Sequence, residues 1–232
     1  MFNNQRYSGS MAHGFMHKVY GWMCAGLATT AAVSYYLSPE VNPALLKALT
    51  SHFLLVIGLF VAQIGLIFYM MSNFAKLSYT TLGAMFIAFS ALEGVTLAPI
   101  LYMYTAASVF YVFLIAAAMF AAMAVYGWLT DADLSSMGNI LLMGMIGLIV
   151  ANLINAFVQS ASFSMVISCF GVGIFAMLTA YDVQNLKKYS QYGISSPEEM
   201  GKYALIGAMS LYLNLINIFI YLLQLFGERR QK

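Results

Sequence analysis

Apolar residues fall along the chain in long blocks separated by short polar connections, and within the blocks apolar and polar positions do not alternate. A strand of a membrane barrel would alternate over about ten positions; runs such as FLLVIGLFVAQIGLIFYMM do not. A membrane-crossing helix needs about 20 mostly apolar residues. Seven blocks satisfy this, at about 16–37, 52–72, 80–103, 107–129, 137–158, 162–186 and 202–226. The expectation is an all-α membrane protein of seven transmembrane helices, one domain over 1–232, with a polar N-terminal tail at about 1–15.

Several boundaries carry helix-end chemistry. Ser38-Pro39 closes the first block, and Ser135-Ser136 can cap the fifth after the turn Thr130-Asp131-Ala132-Asp133. Ser196-Pro197-Glu198-Glu199 reads as a cap, a first-turn proline and first-turn acids ahead of the last block. Tyr, Trp and His gather near the predicted ends, as interfacial anchors do.

Composition supports the same class. The 232 residues are 62% hydrophobic and 8% charged, whereas a soluble domain carries about 25% charged residues. The formal net charge of +2, without a basic run, sets nucleic acid aside as a partner. Cys24 and Cys169 sit in apolar blocks and give no disulfide framework. The N-terminus has a polar start and no cleavage-site pattern, so the first block reads as a retained span. Six basic residues (Arg6, Lys18, Lys76, Lys187, Lys188, Lys202) would lie on one side and four (Lys47, Arg229, Arg230, Lys232) on the other. The excess places the N-terminus in the cytoplasm.

A charged side chain at mid-membrane costs about 2.5–3.5 kcal/mol on insertion scales, so carboxylates inside the spans are the first places to seek function. There are two, Glu93 and Asp182. Asp182, in FAMLTAYDVQNLKKY, is either an interfacial residue at a helix end or, if the helix runs on to Tyr189, a carboxylate about two turns below the surface. Lys187 and Lys188 are off the i,i+4 spacing that would pair them with it. So placed, it can take a proton or bind a cation such as calcium. Glu93 precedes Gly94 and Pro99, and proline frees a carbonyl one turn back and favours a kink. It either lines a cavity there or is held neutral by hydrogen bonds. Asn152 with Asn155, and Asn214 with Asn217, lie three apart, as in interhelical amide contacts. His13 and His17 are spaced i,i+4, but no third ligand is near. Nucleophile-elbow, phosphate-loop and dinucleotide patterns are absent.

The stretch TAYDVQNLK and the later GAMSLYLNLINIFIYLLQLFG resemble the bacterial inner-membrane branch of the Bax inhibitor family. VYGWMCAGLATTA, EGVTLAPI and YGWLTDADLSSMGNILLMGMIG extend the resemblance over nearly the whole chain. It implies a hydrophobic last helix surrounded by the other six, and a pH-sensitive cation leak, chiefly of calcium. It further implies a latch in which carboxylates on helices six and seven share a proton. Asp182 matches the first; the second position is Asn214 here, where the family pattern commonly has aspartate. The second span also lacks the acidic and basic residues that some bacterial relatives carry.

Two functions from different classes follow. One is a cation leak with Asp182, Asn214 and Glu93 in its path or latch, and calcium ions and protons as its partners. The other is a non-conducting regulator that binds membrane proteins such as proteases or stress factors through the polar tail. An intramembrane aspartyl protease would need a second aspartate in the spans, and none is present. Neither an enzyme nor a cofactor is expected.

Overall fold

The computed structural model describes residues 2–191 and 196–230, with the side chains of 14–49, 51–52, 54–190 and 196–230. Eight α-helices run through them: α1 (Phe2–Tyr36), α2 (Pro43–Ser51), α3 (Phe53–Ser72), α4 (Tyr79–Tyr102), α5 (Ala106–Leu129), α6 (Gly138–Val158), α7 (Ala161–Gln191) and α8 (Pro197–Phe226). A 3-10 turn, Leu134–Met137, leads into α6. Among the described residues the β-structure is one isolated bridge, Tyr104 to Arg229.

Six of the helices are long and apolar enough to cross a membrane: α3 from Leu54, α4, α5, α6 with its leading turn, α7 to Ser190, and α8. These match the last six apolar blocks of the sequence. The first block is helical within α1 but is not among the six. Thr29, Thr30, Ser34, Tyr35 and Tyr36 dilute its apolar content. The hydroxyls are satisfied instead by protein: Thr29 donates to the Ala25 carbonyl at 2.9 Å, and Thr30 to Gly26 at 3.0 Å and to Ser90 at 2.8 Å.

The last two helices are longer than their apolar blocks. α7 continues past its block through Lys187 and Lys188 because those polar groups find partners in protein. α8 starts at Pro197, where the Ser196 hydroxyl accepts from the Glu199 amide at 3.1 Å and Glu198 and Glu199 occupy the first turn, as the sequence indicates. The start of α6 differs from expectation. Asp133, not the serine pair, accepts from the Ser135 amide at 3.1 Å and caps the 3-10 turn, and α6 follows without a side-chain cap. A carboxylate answers the positive helix end better than a hydroxyl. Asn155 serves the other end of α6: its Oδ1 accepts from the Ser160 amide at 3.2 Å beside Gln159, which is left-handed at φ 53.

The chain divides into two compact units. One holds α1–α4 and α8 up to residue 209; the other holds α5–α7 and α8 from residue 210. In the first unit α1 and α4 touch at backbone level. A Cβ on Gly94 would sit 2.7 Å from the Thr30 carbonyl oxygen, and the Ser34 hydroxyl donates to the Gly94 carbonyl at 2.8 Å. Small residues permit this approach and hydroxyls join it across the helices. The Trp22 indole donates to the Tyr79 hydroxyl at 2.8 Å. α3 contributes only Gln63 and Met70 as buried side chains among those described, seven residues apart on one face. Its remaining surface, including Leu54 at 82% and Phe68 at 67% exposure, is apolar and needs an apolar solvent.

In the second unit α5 and α7 meet at Gly127, where an added Cβ would collide with the Ala180 carbonyl. The Ser168 hydroxyl on α7 donates to Gln224 of α8 at 2.7 Å, and Phe113 of α5 meets Phe219 of α8 edge to face at 5.7 Å. α8 is the most buried of the six candidate spans, and α3 and α6 are the least.

Candidate functional site: the carboxylates of α7 and α4

Asp182 lies nine residues before the end of α7, so the helix does continue past Tyr189 and the carboxylate is not at its terminus. Its neighbours on the helix are fixed. Ala180 and Val183 are buried, and Tyr181 packs over Gly138, where an added Cβ would come within 2.6 Å of the phenol oxygen. The half-buried carboxylate turns to α8, and its Oδ2 accepts from the buried Asn214 Nδ2 at 2.7 Å. In the sequence these two positions pair only through the family resemblance; in the fold they are in direct contact.

Neither nearby lysine neutralises this acid. Lys187 donates to the Trp128 carbonyl at 2.7 Å, with its ammonium 5.5 Å from the indole centre. Lys188 donates to Asp133 Oδ1 at 2.7 Å and to the Ser135 hydroxyl at 2.9 Å. That contact, together with the Ser135 hydroxyl and amide, holds the Asp133 carboxyl below its ordinary range, to about 2. A lowered value means that the contact contributes at ordinary pH and is lost only as pH falls through about 2. Asp182 itself makes no ion pair among the described residues.

Glu93 belongs to a different cluster. Gln63 of α3, 4% exposed, donates through Nε2 to Glu93 Oε2 at 2.9 Å and to the Thr96 hydroxyl at 3.3 Å. Thr96 in turn donates to the Glu93 carbonyl at 3.0 Å. α4 runs on through Pro99 to Tyr102. The partners of Glu93 lie in the first unit and those of Asp182 in the second.

Asp182 with Asn214 offers one carboxylate and one amide. Calcium takes six to eight oxygen ligands, and no group of three or more His, Cys, Asp or Glu that could hold a metal occurs among the described residues. The pair suits a proton or an ion in passage rather than a resident metal. The side chain of His13 lies outside the described residues, and His17 is exposed. Of the other amides, Asn152 reaches across helices, donating to the Tyr221 hydroxyl at 3.1 Å, while Asn217 bonds back to its own helix at Leu213.

Sequence reasoning missed two glutamines. Gln63 is the partner of Glu93. Gln184, 6% exposed, donates to the Ala132 carbonyl at 2.7 Å and accepts from the Leu134 amide at 2.9 Å. Each is a carboxamide inside an apolar run, and the rule that directed attention to the asparagines applies to them equally.

Uninterrupted helices of spanning length, exposed apolar surface and polar groups satisfied by neighbouring helices define a multi-pass helical membrane protein. The sequence matches the family described as "Inhibitor of apoptosis-promoting Bax1" over residues 12–231, and the chain belongs to this Bax inhibitor family. It is 40% identical over 217 residues to the inner membrane protein YbhL of Escherichia coli, covering 93% of this chain and 92% of that one. A Borreliella burgdorferi protein is 38% identical over 216 residues (93% and 92% covered), and one from Deinococcus radiodurans 40% over 215 (93% and 90%).

Proposed function

We propose that the protein is a calcium-permeable cation leak pathway in a bacterial inner membrane, with Asp182 as the group that meets the ion. The observation that carries this reading is a carboxylate inside a span, held by the Asn214 amide at 2.7 Å and unpaired with any base among the described residues. Such a group is costly in lipid and marks an ion or proton path more often than a structural contact. Glu93 is the second acid available to the path. Asn214 cannot share a proton with Asp182, so the leak responds to pH through a single acid there and only weakly. In this reading α1 is the seventh span, with the N-terminus in the cytoplasm, and the protein is neither an enzyme nor cofactor-dependent. Its relative YbhL, named as an inner membrane protein, supports the location.

Calcium flux into liposomes carrying the purified full chain tests the proposal. Asp182→Asn should remove most of the flux from a folded, monodisperse protein. Equal flux in mutant and wild type would make Asp182 a structural residue and defeat the mechanism. One observation favours a second reading, a non-conducting regulator of other membrane proteins: the family's second acid is an amide here. Wild-type liposomes no leakier than protein-free ones would select it.

A further inference from the structure

The connection between α5 and α6 is tied to α7 through three side chains spaced i, i+3 and i+4. Gln184 bridges the Ala132 carbonyl (2.7 Å) and the Leu134 amide (2.9 Å). Lys187 reaches the Trp128 carbonyl at 2.7 Å. Lys188 reaches Asp133 and Ser135, at 2.7 and 2.9 Å. At 3.6 residues per turn these three share one face of α7 with Ala180 and Tyr181. Those two residues meet Gly127 and Gly138, the last turn of α5 and the first residue of α6. Asp182 falls about half a turn round the helix from this face, where it meets Asn214.

Gln184 is buried and both ends of its amide are used, so it fixes the rotation of α7 as well as its position. A rotation that took Asp182 away from Asn214 would strip Gln184 of both partners, leaving the loop's Leu134 amide and Ala132 carbonyl unmatched. The Gln184 carboxamide and the Leu134 amide, both on buried residues, tolerate that poorly, whereas Ala132 is exposed and its carbonyl can turn to solvent. We propose that Gln184, backed by Lys187 and Lys188, is a positioning residue for Asp182: the α5–α6 connection sets the angle at which the carboxylate faces Asn214. The proposal rests on the reading of Asp182 as the ion-contacting group for its consequence on flux, but not for its geometry.

The test uses the full chain in lipid, with two readouts. Infrared difference spectroscopy follows the Asp182 carboxyl, its band assigned by its disappearance in Asp182→Asn; calcium flux is measured on the same liposomes. Gln184→Ala should shift the Asp182 band and lower flux. A Lys187→Ala, Lys188→Ala double variant should shift the band the same way by a smaller amount, and it carries the test if Gln184→Ala does not fold. A mere loss of stability would leave the band of the folded fraction in place. An unmoved band in folded Gln184→Ala, or in the double variant standing in for it, overturns the proposal whatever the flux. A shifted band in protein whose wild type does not conduct would sustain the positioning role and remove the leak.

Discussion

Replacing Asn214 by aspartate converts a favourable contact into a repulsive one, and its size can be worked from the geometry. In the wild type Asp182 accepts from the amide at 2.7 Å, and a hydrogen bond to a charged group contributes about 1.5–3 kcal/mol. In Asn214→Asp an oxygen takes the place of that donor. Two carboxylate charges about 4 Å apart repel by about 4 kcal/mol at an effective dielectric near 20. The swing is therefore about 6 kcal/mol, too much for the pair to bear when both acids are ionised. One proton held between the oxygens removes the repulsion and restores a hydrogen bond. The wild type has no such shared proton, because an amide does not accept one. Calcium flux measured against pH from about 5 to 8, in the same lipid, should show a shallow wild-type curve and a steeper one for Asn214→Asp. The mutant should leak least while the proton is held and more as it is lost. Superimposable curves would refute the reasoning, because two acids in this contact cannot titrate as one does alone.

Two further perturbations separate packing from polar satisfaction. Gln63→Ala should lower thermal stability in detergent, since an unsatisfied buried polar group costs about 1–3 kcal/mol, whereas Glu93→Gln should stay within about 1 kcal/mol of wild type because shape and hydrogen bonding persist. Equal losses in the two would place the charge of Glu93, not its hydrogen bond, at the centre of that cluster. Gly127→Ala puts a Cβ against the Ala180 backbone, well inside ordinary contact, so α5 and α7 must part to admit it. Overpacking of this kind costs about 1–3 kcal/mol or more. Gly147→Ala, with nothing within 4 Å, is the control and should lose nothing; similar melting temperatures for the two would deny the close approach.

The spans were legible because lipid imposes a length and an apolar content that no other solvent demands, and six blocks carry both plainly. The first block is the exception: α1 is not among the six helices long and apolar enough to cross, and its Thr30 and Ser34 hydroxyls are bonded to backbone carbonyls of α4. The ends of the spans were harder to read. Polar residues at and beyond the end of the apolar block of α7 resemble the start of a loop, yet Gln184 within it and Lys187 and Lys188 past it remain helical because the backbone of 128–134 and the side chains of Asp133 and Ser135 answer them. At the site, cost alone found both carboxylates, since a charge in a span stands out on any hydropathy scale. Their partners did not stand out, because a carboxamide is only moderately costly and its role depends on which helix it faces. Spacing within one segment cannot supply that, so Asn214 was noticed as an amide on a helix face but matched to Asp182 only by resemblance, and Gln63 was not found at all. The same limit explains why the lysines near Asp182 suggested so little in sequence. Their spacing excluded an ion pair with the acid, but only the fold brings them to the loop on the opposite face of α7, where their contacts fix the direction in which the acid points.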